Sequence, residues 1–455
     1  MAIQLAGNTV IHDNQNVQVS GVTTASSFVG DGSQLTNLPA SGGTLEATAS
    51  GTLADGSTVI VNVDGTVSVV NQTFSETTTS GFGTPEVYFP SGSTDVISAV
   101  FDSTTNKVVL AYNSRAIVGT VSGTSISFGS PVTFGSAALY HDSLVYDSTN
   151  EKVVIAYSDA SNSYYGAAIV GTVSGTSISF GSKVTFESAM STDIGATFDS
   201  SNGKVVIAYR DHGNSDYGTA IVGTVSGTSI SFGSPTIFAY YATSMTATFD
   251  STNNKVVIAY RHVGNSYYGT AVVGTVSGNS ISLGVPVVFQ SSNTAFISAI
   301  FDSSNGKVVI AYRDYGSTTG KAIVGTVSGT GISFGSSAIF ESASIGSISA
   351  TFDSTNNKAV IFYRDYGNSS YGTAIVGTVS GTSISFDSPV TFNSATSSYM
   401  SAAYDSTNDK VVIAYHDGGN SDYGTAVVFG QTGFSIPQVG SETVFESASI
   451  DNISA

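Results

Sequence analysis

The stretch YRDHGNSDYGTA (Tyr209–Ala220) gathers an Arg, a His, two Asp and two Tyr in a chain of which 10% of residues are charged. Side chains of these types could transfer protons, grip a carboxylate or hydrogen-bond a polar ligand. Near-copies of the stretch recur, and they decide among those chemistries. An anchor of the form [FY]-D-S occurs at Phe101, Tyr146, Phe198, Phe249, Phe301, Phe352 and Tyr404, at intervals of 45, 52, 51, 52, 51 and 52 residues. The stretch is therefore one instance of a repeating loop.

Catalytic readings fare poorly against the repeat. STDIGATF (Ser191–Phe198) matches the Ser-x-Asp-x-Gly-x-Thr-aromatic box of sialidase propellers, but it stands in one copy, where sister copies read SIGSISATF and TSSYMSAAY. A sialidase also needs clustered arginines, an acid and a tyrosine nucleophile. Arg210, Arg261, Arg313 and Arg364 recur once per repeat, a spacing that spreads them round a ring. No nucleophile elbow, His-Glu-x-x-His or phosphate loop is present. Asp405, Thr407 and Asp409 have the alternate spacing of a calcium loop, but Lys410 stands where the loop needs Gly and no Glu closes it. The seven repeat aspartates (Asp102, Asp147, Asp199, Asp250, Asp302, Asp353, Asp405) read instead as Asx turns, each with a cross-hairpin lysine five residues on. No catalytic residue, metal site or cofactor is assigned, and the chain is read as a non-enzyme.

The elements that carry the loops are strands. One copy, ISATFDSTNNKAVIFYRDYGNSSYGTAIVGTVSGTSISFDSPVTF, divides into Ile348–Phe352, Lys358–Tyr363, Thr373–Val379 and Ser383–Phe392, with Asn- and Gly-rich turns between. The second strand, VVIAY in most copies, is apolar without alternation, so both of its faces need cover. The fourth alternates, with Ile230 and Phe232 against Ser229 and Ser231. An all-β propeller of four-stranded antiparallel blades satisfies both patterns better than a parallel solenoid, whose coils are shorter. FGTPEVYF (Phe82–Phe89) repeats strand four ahead of the first anchor, and VGSETVFESASIDNISA (Val439–Ala455) repeats strands four and one after the last. Seven blades closed by overlapping termini are expected, with eight as the alternative. The expected division is 1–45 for attachment or oligomerisation, 46–80 for a small hairpin region with its turn at Asp64–Gly65, and 81–455 for the propeller.

The connections between strands one and two, and three and four, hardly change from copy to copy. Those between two and three, and four and one, change a great deal, and in a meander they emerge on one side. That face carries Tyr140, His141, Arg210, His212, Asp216, Tyr217, Tyr240, Tyr241, Arg261, His262, Tyr267, Arg313, Tyr315, Arg364, Tyr366, Tyr399 and His416. Flat rings with polar tips and planar donors on a rigid scaffold are what a recognition surface uses. The bland alternatives are loop drift and, for each Arg-Asp pair, a salt bridge between blades.

Composition narrows the partners. The net charge of −18 argues against nucleic acid and anionic lipid. No cysteine is present, which excludes disulfides and thiolate chemistry. No apolar run is long enough to span a membrane, and the first residues lack the basic and apolar regions of a signal peptide.

Residues 1 to about 80 are polar and broken, and such a region finds its core in neighbouring chains or a partner. VTTASSFVGDGSQLTNLP (Val22–Pro39) resembles a segment of tail fibres and other virion proteins of tailed phages, notably those of marine cyanobacteria, and ASGTLADGSTVIVNVDGTV (Ala49–Val67) is similar to another phage-structural stretch. Together they cover about a sixth of the chain. The resemblance implies a virion protein, located on the tail or fibre outside the cell. Its N-terminal segment would bind other virion proteins, its assembly would be a trimer, and its distal β-domain would face a host-surface glycan. It transfers no site residue. The competing readings are a connector or decoration protein of the virion, a sialidase-like hydrolase and a bacterial surface adhesin.

Overall fold

A computed structural model describes residues 81–89, 97–135 and 142–430, together with the backbone of short strands at 3–5, 8–11, 48–50, 59–61, 66–69 and 447–449. The chain divides into two compact units, Thr78–Gly433 and Met1–Thr77 with Phe434–Ala455.

The larger unit is the propeller, with seven four-stranded blades. In the sixth blade the strands are Ile345–Asp353, Lys358–Asp365, Tyr371–Ser380 and Ser383–Phe386, the last resumed at Val390. Three strands, Val184–Asp199, Val287–Asp302 and Val390–Asp405, run unbroken from the outer edge of one blade into the first strand of the next. Strand two is buried from its second residue through the tyrosine in every blade, as its unbroken apolar text requires. Strand four alternates between exposed and buried positions.

The core is seven separate clusters, one in each cleft between neighbouring blades. One aromatic pair recurs in all of them. The strand-four ring of each blade meets the strand-two tyrosine of the next: Phe134 with Tyr157, Phe186 with Tyr209, Phe238 with Tyr260, Phe289 with Tyr312, Phe340 with Tyr363 and Phe392 with Tyr415, at centroid distances of 5.5, 5.0, 5.0, 5.2, 5.2 and 5.1 Å. Tilted and edge-on pairs at this distance add to the burial of the rings themselves. Near the axis the first strands are tied by side chains. Ser143, Ser298, Ser349 and Ser401 each accept a backbone N–H of the next blade, from Ala196, Ala350, Ala402 and Ala99. These bonds satisfy donors on what would be open sheet edges.

The bond from Ala99 to Ser401 joins the first blade to the seventh, so the ring is closed. The seventh blade takes its fourth strand from the N-terminal side: Gly81–Phe82 and Glu86–Phe89 pair antiparallel with Tyr423–Gly430. Tyr88 then supplies the seventh aromatic pair, 5.0 Å from Tyr112. The glycines record the same closure. A Cβ at Gly129, Gly181, Gly233, Gly284 or Gly335 would sit 1.8–2.0 Å from a carbonyl oxygen in the next blade's turn between strands three and four. The sixth blade has Asp387 at that position, next to the one blade whose third and fourth strands are not joined by a turn. The propeller thus ends near Gly433, short of the 81–455 drawn from the repeat, because Gly81–Phe89 already occupies the last strand-four position. Ser447–Ser449 instead pairs with Thr48–Ser50 in the smaller unit. There Val59–Val61 and Thr66–Val69 pair antiparallel, and the expected turn at Asp64–Gly65 lies outside the described residues.

The seven repeat aspartates are Asx turns. Asp302, for example, accepts from the backbone N of Ser304 and Asn305 and from Asn305 Nδ2, at 3.0, 3.0 and 2.9 Å. The expected Asp–Lys pair does not form, because the carboxylate is already saturated by its own turn. Lys204 and Lys358 reach across to Thr224 and Thr378 instead, at 2.7 and 2.6 Å. At the calcium-like triplet, Asp409 accepts from Tyr404 at 2.9 Å, turned away from Asp405. Among the described residues no three acidic or imidazole groups are placed to hold a metal ion.

One core position breaks the pattern. Five residues before each repeat aspartate stands an Ile or Met (Ile97, Ile194, Met245, Ile297, Ile348, Met400), but in the second blade it is Asp142. Both of its carboxylate oxygens are buried without a partner. Burial pushes this carboxyl up to about 8. In the unfolded chain it titrates near the ordinary ~3.9. The folded state therefore resists ionisation that the unfolded state accepts, and stability falls as pH rises from about 4 toward 8. Asp142→Ile, the residue of the sister blades, is expected to be more stable than the parent by a margin that widens by about 1.4 kcal/mol per pH unit across that window. Urea denaturation of both proteins from pH 4 to 8 checks it, and a margin independent of pH would refute the assignment.

Candidate functional site: the loop face

The connection between strands two and three is built alike in most blades. The strand-two aspartate turns its carboxylate back onto the loop. Asp211 accepts from Gly213 N, Asp365 from Gly367 and Asn368 N, and Asp417 from Gly419 N, at 2.9, 2.8, 3.1 and 3.0 Å. The Asp of each Arg-Asp pair is thus a loop cap rather than an inter-blade salt bridge. Two consecutive left-handed residues then reverse the chain, as in the primed hairpin turns: Ser163–Tyr164, Ser215–Asp216, Ser266–Tyr267, Ser369–Ser370 and Ser421–Asp422. The second of each pair differs from blade to blade, as does the residue after the cap: Ala160, His212, Val263, Tyr315, Tyr366 and Gly418.

Backbone bonds lace these loops to the connections between strands four and one. Ser191 N meets Tyr164 O at 2.9 Å, Thr294 N meets Tyr267 O at 3.1 Å, Val263 N meets Tyr241 O at 2.9 Å and Tyr366 N meets Ser344 O at 3.0 Å. The two variable sets therefore share one face, as their variability implied.

Strand two carries an arginine two residues before the loop's cap region, and the loop supplies its partner. Arg210 holds Asp216, with Nη2 3.1 Å from Oδ1, and its guanidinium lies 4.5 Å from the Tyr241 ring. His212 joins the same carboxylate at 2.7 Å and meets Thr192 Oγ1 at 2.9 Å. Arg261 stacks on Tyr267 at 4.3 Å and donates to Asn293 Oδ1. Arg313 stacks on Tyr315 at 4.1 Å, and Arg364 on Tyr366 at 4.8 Å. The Tyr366 ring also lies 5.8 Å from Arg313. Adjacent arginines that sequence spacing set apart are in this pair bridged by one tyrosine. The Nε donors of Arg313 and Arg364 meet no acceptor.

The remaining candidates fall into place around these stacks. Tyr217 packs edge-on against Tyr240 at 5.5 Å, and Tyr240 is 60% exposed. His262 lies against the buried Tyr260 at 5.7 Å, and burial lowers its pKa against a bond to the Tyr240 backbone. His416 packs on Tyr399 at 6.0 Å, with Asp422 3.5 Å away. Tyr267, Tyr315, Tyr366 and Tyr399 are exposed. Tyr140 and His141 lie outside the described residues.

Sequence reasoning named Tyr399 but missed the column to which it belongs. Six residues before the repeat aspartate, strand one bulges through a left-handed residue: Asp193, Ser244, Phe296, Ser347 and Tyr399, with φ of 51, 48, 50, 45 and 48°. A bulge re-aims the side chain it carries, and a bulky residue at positive φ is unusual. Phe296 is exposed there, as is Tyr399 at the equivalent position two blades on, while Asp193 accepts from Ser244 N at 2.7 Å and latches two blades. Counting back from each anchor exposes this column; the bulge that makes it matter is not written in the text. STDIGATF spans this bulge, inside a strand.

No family model matches the chain, and no curated protein matches it. Among solved structures it is similar to the β-propeller domain of Cps50 (Swd1) of Myceliophteria thermophila, at 8% identity and a TM-score of 0.51, covering 78% of this chain and 100% of that one. It is also similar to the SapL1 lectin, solved in complex with alpha methyl fucoside, at 15% identity and a TM-score of 0.43, covering 68% and 96%. AofleA of Arthrobotrys oligospora matches at 9% identity and a TM-score of 0.44, covering 68% and 92%. At these identities the likeness is one of fold.

If the Arg–Tyr stacks organise the face, a double-mutant cycle on Arg364→Ala and Tyr366→Ala should return a coupling of about 0.5–1 kcal/mol in urea denaturation. Additive effects would make the stack incidental.

Proposed function

We propose that this seven-bladed propeller is the distal domain of a tail fibre-like phage virion protein, and that its loop face recognises a glycan on the host surface. The observation that carries the reading is the set of exposed tyrosines on one face, Tyr240, Tyr267, Tyr315, Tyr366 and Tyr399, several with an arginine or histidine behind the ring. A tyrosine offers the C–H face of a sugar a flat apolar partner and offers its hydroxyls a polar tip. The stacked arginine holds the ring in place, so little ordering cost remains to be met on binding. Single contacts of this kind are weak, and several copies on one particle compensate through multivalency. Under this reading, residues 1–77 attach the propeller to other virion proteins, and a trimeric assembly supplies the copies.

The test is the combined variant Tyr240→Ala, Tyr267→Ala, Tyr315→Ala and Tyr366→Ala, assayed for binding to host cells and to an immobilised array of their surface polysaccharides. The rings are exposed, so the melting temperature should move little, while binding falls by at least about a hundredfold. Undiminished binding would overturn the loop-face reading. Failure of the parent protein to bind any glycan, with capture by purified virion components, would establish a connector instead.

A further inference from the structure

The seven aromatic pairs are not completed alike. The residue after the strand-four ring faces the next blade's buried tyrosine. Glu187 accepts from the Tyr209 hydroxyl at 3.2 Å, Gln290 Oε1 from that of Tyr312 at 3.1 Å, and Glu341 from that of Tyr363 at 3.2 Å. In the first blade the residue is Gly135. Like the hydroxyls of Tyr112, Tyr260 and Tyr415, where the residue is Phe89, Ala239 or Asn393, the buried hydroxyl of Tyr157 then has no partner. A cavity of about 370 Å³ opens there, lined by Thr133 and Phe134 beside Gly135 and by Tyr157, Asp159, Ser161 and Lys183 of the second blade.

Two further departures from the repeat meet at the same cavity. Lys183 stands where the other blades have proline (Pro85, Pro131, Pro235, Pro286, Pro389) or Ser337. Ser161 stands where the later loops have Gly213, Gly264, Gly316, Gly367 and Gly419. Both act on one carboxylate: Lys183 pairs with Asp159, and Ser161 donates to it at 2.6 Å. Burial alone would raise the Asp159 carboxyl, but Lys183 and Ser161 hold it below the ordinary range. These columns meet in other clefts too, as Gln290 and Asn393 do with Asp314 and Asp417, and in this cleft the residues at all three differ from their sisters. The wall that results is neutral overall and rich in hydroxyls, with an ammonium–carboxylate pair at one side and the Phe134 ring at another.

We propose that this cavity between the first and second blades is a subsite for a single neutral pyranose, an inference that rests on the glycan reading above and adds to it a second place of contact. Adjacent sugar hydroxyls can bridge Asp159 and Lys183 together, one donating and one accepting. Phe134 presents an apolar edge to the C–H bonds. An anionic ligand would have to compete with Asp159 for the lysine, and a cationic one with Lys183 for the carboxylate. The volume lies within the range of small-ligand sites and near its lower end.

Saturation-transfer NMR on the full chain tests it, with methyl glycosides of glucose, galactose, mannose, fucose and N-acetylglucosamine as probes and methyl glucuronide as the charged control. At least one neutral glycoside should receive transfer. Gly135→Glu restores the residue type that serves Tyr209 and Tyr363, so it should weaken that glycoside by at least about tenfold with the melting temperature held or raised. Lys183→Pro, the sister residue, is the second variant and should weaken it as well. The four-tyrosine variant should keep the signal, which separates this site from the loop face. Transfer undiminished in both Gly135→Glu and Lys183→Pro would overturn the subsite, as would transfer to methyl glucuronide alone or to none of the probes. Loss of array binding in the tyrosine variant with these outcomes would leave the loop-face reading standing without the subsite.

Discussion

A strand that is apolar on both faces cannot belong to a free-standing sheet, and everything else in the propeller follows from that. Val205–Tyr209 and its six counterparts need cover on two sides at once. A blade can receive it only from a neighbour before and a neighbour after, so no blade can be last unless the row bends into a ring. Seven clefts then hold seven cores, each closed by one ring of strand four resting on one tyrosine of strand two. Fully burying a large side chain contributes ~1.5–3 kcal/mol, and the tyrosine position does so seven times. The chain meets the closure requirement by carrying one strand four in advance, at Gly81–Phe89.

This division of labour frees the loop face. The cores lie between blades, and the Asx turns and Gly-dependent contacts serve the opposite ends of the strands. The connections on the remaining face need only keep their caps. Within that limit the second left-handed residue of each turn has varied as Tyr164, Asp216, Tyr267, Ser370 and Asp422. Arg210 changes from an ion pair to a ring stack at Arg261 according to which residue arrives there. In the four blades that carry it, an arginine set against a changing partner yields a different small surface from the same backbone.

The first cleft shows the same principle inside the core. Glu187, Gln290 and Glu341 finish their aromatic pairs with a hydrogen bond, while the other four pairs stay open and the one beside Gly135 borders a cavity. Asp142, in the first strand of the same second blade, is another departure from the apolar pattern. Asp142, Ser161 and Lys183 thus stand in one blade, in the repeat that follows the shortest interval between anchors, 45 residues.

The amino-acid sequence by itself determined the strands, their order and the face on which variation collects, and it favoured seven blades over eight. Each of these depends on local text: the period of apolar residues, the turn residues, and a repeat that can be laid over itself. The strand-four text at Phe82–Phe89 even announced the closure. The tertiary structure alone decided which residues meet across a cleft, because those contacts join positions about one repeat apart and depend on how twisted sheets stack. The Tyr366 ring shared by two arginines, the lysines that pass over their aspartates for a threonine, the bulge that turns Phe296 and Tyr399 outward, and the cavity over Tyr157 all belong to that second class. A repeat fixes where a side chain stands in its own blade, and its partner is fixed only when the next blade is packed against it.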